Sequence, residues 1–396
     1  MAEGAPPVPS DDEQAGEGER HATNLELFLD LAFVFAVAQL TSLFASDLTV
    51  AGVARRLLLA LLVWWLWSQF AWLGTAVDVE RHRGVRLAVL GAVPVVLLLG
   101  VAIPSAFTTT GALFGAAYLV IELWALGIQG WSLWGSTENR RAWLAYAPVA
   151  AIAPTLVLVG GLLGGEAGVG VWVVAALLSV ASAFAAGRQR EDAPTEWRID
   201  PTHFAERHAL FVIIVLGEVL VASGVAAGGV ELTAAVVAGV VAAVAVACVF
   251  WWAYFGFVAG ASEGALRRAP VAQRGTVARD VFTFGHFPLV TGVALYALVA
   301  KHVVPHPLDA LGGADLVVLA AAVAVFVGGM MALHWRIVRG VAPERLVLVL
   351  VVGAWCGLAG PVLPGAVTVA GVAVGLVGMH LVTLRRVARR AGTVSG

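Results

Sequence analysis

Charge is scarce in this chain. Asp, Glu, Lys and Arg make up 13% of its 396 residues, against roughly 25% in a soluble globular domain. Hydrophobic residues make up 60% and the mean hydropathy is +0.90, which excludes a water-facing domain. The net charge is −2, and no nucleic-acid partner is expected. Two cysteines occur, Cys248 and Cys356. Both fall inside apolar runs, where a free cysteine packs as a small hydrophobe, and they carry no information on redox compartment. There is no Gly-rich phosphate loop at a strand-helix junction, no nucleophile elbow and no His-Glu-x-x-His. No soluble catalytic domain, catalytic residue, metal site or cofactor is expected.

What the chain has is long apolar runs. A helix needs about 20 apolar residues to cross the hydrocarbon core, and a backbone facing lipid must satisfy its own hydrogen bonds. The runs are continuous rather than alternating, which predicts helices and not a β-barrel. Twelve are expected, over 24–45, 54–76, 85–106, 112–134, 143–163, 169–187, 204–227, 232–259, 281–301, 315–337, 344–362 and 365–386. The fold class is therefore all-α, polytopic, with the lipid bilayer as its solvent. Gly160-Gly161 and Gly164-Gly165 read as close helix packing or breaks.

Basic residues fall unevenly on the two sides of these helices. Arg55, Arg56 and Lys301 lie on one side, and the other 21 of the 24 lie opposite. Short Lys/Arg-rich loops stay on the cytoplasmic side, so both termini are expected there, in a bacterial inner membrane. Residues 1–23 are acidic and rich in Pro and Gly, without the basic start and apolar core of a signal peptide. They read as a disordered tail. The remaining divisions are a first six-helix unit over 24–187, a polar central loop over 188–203, a second unit over 204–386 and a basic tail over 387–396.

The two units echo each other. Trp64-Trp65-Leu66-Trp67 meets Trp251-Trp252-Ala253-Tyr254, Leu27-Phe28-Leu29-Asp30 meets Val215-Leu216-Gly217-Glu218, and Gly91-Ala92-Val93-Pro94 meets Gly285-His286-Phe287-Pro288. The offsets run in order and stay nearly constant. Six helices per unit is an even number, so the copies would share one orientation, as parallel repeats do in several transporter folds.

Ionisable groups inside apolar helices are costly and usually face a cavity or a partner. Glu26 and Asp30 lie one turn apart on a single helical face, and two carboxylates that close repel unless a cation or proton intervenes. Glu122 and Glu218 lie deeper in their runs. Glu218 is expected near the bilayer centre, with a partner from another helix or a proton; a transport role would rest on it most. Glu206, Arg207 and His208 open the seventh helix. His203, His286, His334 and His380 lie toward the same side, and with Glu26, Asp30 and Glu206 could share one vestibule. A proton relay, a metal site and unrelated interfacial side chains are the competing readings. The aromatics Trp64, Trp65, Trp67, Phe70 and Trp72 read as packing and lipid contact.

Two stretches carry a resemblance. Asn24-Leu25-Glu26-Leu27-Phe28-Leu29-Asp30-Leu31-Ala32-Phe33-Val34-Phe35 resembles the opening of the bacterial low-temperature-requirement A (LtrA) family. Glu206-Arg207-His208-Ala209-Leu210-Phe211-Val212-Ile213-Ile214-Val215-Leu216-Gly217-Glu218 resembles that family's second hallmark. The resemblance spans about Asn24 to Arg386 and implies a polytopic inner-membrane protein; it supplies no substrate or mechanism. Phe28-Leu29-Asp30 also looks somewhat like the first-helix signature of a potassium-channel family built from six-helix repeats, with Leu29 where that signature has Ser.

The expectation from these residues is a proton-linked transporter of an unknown small solute or ion. Glu26, Asp30, Glu122, Glu206, Arg207, His208, Glu218 and His286 are its candidate binding groups. The alternatives are a cation channel, a membrane-embedded enzyme using the His/Glu set, and a structural envelope-adaptation protein.

Overall fold

A computed structural model describes residues 20–44, 49–77, 79, 82–134, 137–186 and 199–394. Among them twelve long helical segments run in order, joined by short turns. They are α1 (Asn24–Phe44), α2 (Val50–Ala76), α3 (Arg83–Ala102), α4 (Gly111–Leu133), α5 (Thr137–Ala150, continuing as Ile152–Leu163), α6 (Gly165–Ala186) and α7 (Pro201–Gly228). Then come α8 (Ala234–Arg268), α9 (Val271–Val303), α10 (Gly313–Val338), α11 (Pro343–Ala354, extended by Trp355–Ala359) and α12 (Gly365–Val394). No strand occurs among the described residues beyond one isolated bridge, Ala310 to Pro364.

Eleven of the helices are long and apolar enough to cross a membrane. The exception is α11. Its regular part has 12 residues and its π-helical extension five, together about 25 Å at 1.5 Å per residue against a hydrocarbon core of about 30 Å. It stops at Ala359 rather than the expected 362 because Gly360 and Pro361 lead into a turn. Helices α8 and α9 run longer than expected, at 35 and 33 residues. Each passes through a π-helical turn, at Tyr254–Val258 and Ala278–Phe284. The expected disordered tail lies outside the described residues up to position 19, as does 188–198 of the expected central loop. The expected basic tail continues α12 as helix to Val394.

The packing order repeats. In the first six helices α1 packs on α2 and α3, α3 on α4, α4 on α5, α5 on α6, and α2 on α4 and α6. In the second six, α7 packs on α8 and α9, α9 on α10, α10 on α11, α11 on α12, and α8 on α10 and α12. The two sets meet where α1 and α2 lie against α7 and α9. Among the candidate spans α9 is the most enclosed by its neighbours and α5 the least, so α9 is the central post and α5 lies at the edge of the bundle.

Glycine makes two of the closest approaches. A Cβ on Gly161 of α5 would stand 2.1 Å from the Gly111 carbonyl oxygen of α4, so only glycine lets these backbones touch. Gly164 and Gly165 turn the chain between α5 and α6 with φ of 63° and 54°, the left-handed region where glycine carries no Cβ penalty.

Candidate functional site

The site begins with a helix cap. Thr23 and Glu26 form a reciprocal capping box at the start of α1. The Glu26 amide donates to Thr23 Oγ1 at 3.2 Å, and the Thr23 amide donates to Glu26 Oε2 at 2.9 Å. At the start of α7, Asp200 accepts from the Thr202 and His203 amides, satisfying donors that a helix N-terminus leaves open. Arg20 joins these ends. Its amide donates to Asp200, and its guanidinium donates to the carbonyls of Gly74, Thr75 and Val77 at the end of α2. Glu206 points outward and takes the Ala22 amide at 2.9 Å and His21 Nδ1 at 3.1 Å. It anchors this N-terminal segment and does not join the buried groups.

Inside this rim the first turns of α1 and α7 form a charge cluster. Arg207 Nη1 lies 2.7 Å from Glu26 Oε1, and Arg207 Nη2 lies 2.7 Å from Asp30 Oδ1. One guanidinium thus bridges the two carboxylates, which is the intervening cation their spacing required. His203 Nε2 sits 3.1 Å from Glu26 Oε2. Trp67 of α2 donates its indole N–H to Asp30 Oδ1 at 2.8 Å. Glu26, Asp30, His203 and Arg207 are at most 2% exposed. A Cβ on Gly74 would fall 2.2 Å from Glu26 Oε1, so α2 closes over the cluster without a side chain there.

Beyond the carboxylates lies an aromatic layer. Trp67 packs on Phe211 with ring centroids 4.2 Å apart and on His208 at 4.9 Å. His208 stands 5.3 Å from His286 of α9, centroid to centroid. The π-helical turn of α9 redirects its carbonyls. Thr283 O accepts from Trp64 Nε1 at 2.7 Å, and Val281 O faces His286 Nδ1 at 3.0 Å. With a proton on Nδ1, His286 Nε2 accepts from the Tyr254 hydroxyl of α8, 2.8 Å away. Past Trp64 is an apolar cavity of about 30 Å³ between the two sets of helices, bordered by Val37, Leu40, Val63, Phe287 and Val290.

Several buried polar atoms of this region have no hydrogen-bond partner in the structure: Asp30 Oδ2, His203 Nδ1, Arg207 Nε and His208 Nε2. Such atoms are rare in folded proteins and cost stability when left bare. Two carboxylates share one guanidinium, and His203 is the other polar side chain that reaches Glu26.

The structure thus brings together Glu26, Asp30, Arg207, His208 and His286 of the expected set. Glu122 is elsewhere. It is buried in α4 within hydrogen-bonding reach of Gln69 of α2. Glu218 is also apart from the cluster. It lies about 25 Å along α7 from Pro201, within about two turns of the helix midpoint, and its partner comes from another helix, as expected: Lys301 Nζ of α9 stands 3.5 Å from its Oε1. His380 is buried against Trp252 and Phe257 of α8, away from the cluster. Among the described residues no group of three or more His, Cys, Asp or Glu is placed to hold a metal ion. Sequence reasoning gives Trp67 a role in packing and lipid contact and gives Tyr254 no site role; both have polar partners here. Their signal was a polar N–H or O–H inside an apolar helix, which when buried finds an acceptor.

Fold and site together define a polytopic α-helical membrane protein with a buried charge cluster between two six-helix sets. A family model described as bacterial low temperature requirement A protein (LtrA) matches residues 21–381, and the chain belongs to that family. The matched stretches include the α1 and α7 segments that build the cluster. A protein of Rhizobium meliloti (strain 1021), described as uncharacterized, is 28% identical over 298 residues, covering 71% of this chain and 69% of that one. No solved structure matches the chain.

Proposed function

We propose that the chain is a proton-linked transporter of the bacterial cytoplasmic membrane, with both termini cytoplasmic and two parallel six-helix repeats. The observation that carries this reading is the Glu26–Asp30–Arg207–His203 cluster. It is sealed from water at the junction of the two helix sets, and its carboxylates outnumber its guanidinium. A proton that joins or leaves Asp30 changes the strength of the α1–α7 contact. That couples protonation to the relative position of the two sets, as alternating access requires. The shared packing order of the two sets supports the repeat, and the distribution of arginines supports the orientation.

The test is proton flux in proteoliposomes. Purified protein with a pH-sensitive dye inside the vesicles should alkalinise or acidify the lumen when the transported solute is supplied. Asp30→Asn, correctly inserted, should abolish the flux. Flux that survives Asp30→Asn overturns the reading. Reporter fusions after Arg390 and beside Gly165 should report opposite sides; a C-terminus outside the cytoplasm overturns the orientation. The apolar cavity beyond Trp64 favours a second reading, a cation channel gated by an apolar constriction. It requires solute-independent current, which electrical recording of the same vesicles detects.

A further inference from the structure

A second polar site lies far from the cluster, among α8, α10, α11 and α12. Arg345 stands in the first turn of α11, at the arginine-rich end of the bundle. An arginine there normally extends outward to the water interface. This one turns inward: its Nη1 donates to the carbonyl of Met330 at 3.0 Å. Met330 lies about 12 Å along α10 from its end at Val338. His380 of α12 is at a similar level, about 9 Å deeper than Arg386, whose guanidinium pairs with Glu344 beside Arg345. Arg345 is 6% exposed and His380 1%. Helices α11 and α12, which carry the two residues, pack on each other, and Trp252 and Phe257 flank the His380 ring at 5.3 Å each.

Three polar atoms beside this bond have no partner. Arg345 Nε and both ring nitrogens of His380 are buried without a hydrogen-bond partner. The acid next in sequence, Glu344, has its Oε2 on Arg386, and Asp280 is held by Arg279 and Arg336. A guanidinium keeps its charge in any protein, and the one carboxylate beside it, Glu344, is shared with Arg386, so a water molecule would satisfy its N–H but add no counter-charge. We propose that Arg345 and His380 form a seat for a phosphate-type oxyanion, supplied by an anionic lipid headgroup or by free phosphate. The partnerless Nε–H of Arg345 donates to one oxygen of the anion, a charge-assisted bond, and a His380 N–H reaches a second. Exposed arginines at the same end of the bundle, Arg339 and Arg385, draw anions toward it.

The experiment is a thermal-shift titration of the delipidated full chain, followed by tryptophan fluorescence. The probes are sodium phosphate, against sodium chloride at equal ionic strength, and phosphatidylglycerol micelles, against phosphatidylcholine micelles. Wild type should gain melting temperature with at least one anionic probe. A response to phosphate assigns a free anion, and a response to phosphatidylglycerol alone assigns a lipid headgroup. His380→Leu and Arg345→Gln should each weaken the response at least about tenfold, and Arg345→Lys should weaken it less. Arg385→Gln, outside the seat, should respond as wild type. If Arg345→Gln does not fold, His380→Leu and Arg345→Lys decide the matter. A wild type that responds to neither probe, or variants that respond as wild type does, overturns the seat.

Discussion

Asp30 and Glu218 are both carboxylates inside apolar helices, α1 and α7, and their surroundings could hardly differ more. Asp30 is enclosed by α1, α2 and α7, with an arginine and an indole N–H on one oxygen. Glu218 faces one lysine at 3.5 Å, and both side chains are partly exposed, at 13% and 30%. The contrast shows that a carboxylate in an apolar helix has no fixed meaning. Depth along its own helix and what the neighbouring helices bring decide whether it becomes a sealed bridge or an adjustable surface pair. Buried, a charge interaction is strong and its loss is severe; near water it is worth about 1 kcal/mol or less.

The sharpest way to break the comparison is Arg207→Met. It leaves two buried carboxylates facing each other without a cation, and should cost about 3–5 kcal/mol. The expected readout is loss of monodisperse protein after detergent extraction. Adding Asp30→Asn to that variant should recover part of the loss, because it removes one uncompensated charge. Extraction yields for the two single variants and the double variant measure this coupling.

Gly74→Ala should come next, at about 1–3 kcal/mol. The new methyl would displace Glu26 Oε1 and press on His203 Cε1, now 3.1 Å away. Gly217→Ala is its counterpart beside Glu218, where an added Cβ meets nothing within 4 Å. That change should stabilise α7 by up to about 1 kcal/mol, from helix propensity. Melting temperatures should therefore move in opposite directions for the two alanines; equal shifts would erase the distinction between the regions.

Trp67→Phe keeps the ring against Phe211 but removes the indole N–H from Asp30. A buried acceptor deprived of a donor costs about 1–3 kcal/mol, here at the lower end because Arg207 stays on the same oxygen. The measurement is thermal unfolding by fluorescence, with Trp72→Phe as the comparison, since its N–H serves only the Thr283 hydroxyl, at 3.0 Å. Glu218→Gln should be the mildest for stability, under about 1 kcal/mol. It retains the shape and hydrogen bonding of the side chain while removing its titration, so proton flux should fall in a protein that is still folded and inserted.

Much of this architecture was legible before any coordinates. Long runs such as Leu232 to Ala259 leave a backbone in lipid no option but helix. Glu26 and Asp30 stood out because a charge inside an apolar run demands an explanation, and one turn of spacing put them on one face. Their need for an intervening cation was also readable. That the cation is Arg207, shared between them, was not, because residues separated by about 180 positions meet only through packing.

The same limit explains the other differences. Glu206 and Arg207 are neighbours in sequence, but helical geometry sends one outward to the N-terminal segment and the other inward to the cluster. His286 met Tyr254 because two π-helical turns altered the facing of α8 and α9, and a single inserted residue in the hydrogen-bond ladder leaves little trace in composition. Arg345 appeared to be one more arginine at the basic end of the bundle, and only packing turned it inward. The sequence by itself determined the class of solvent, the helices and which polar groups had to find partners, since these follow from local transfer energies. The tertiary structure decided which partners they found, because a hydrogen bond or ion pair depends on atoms within about 3 Å, a scale set only when the helices pack.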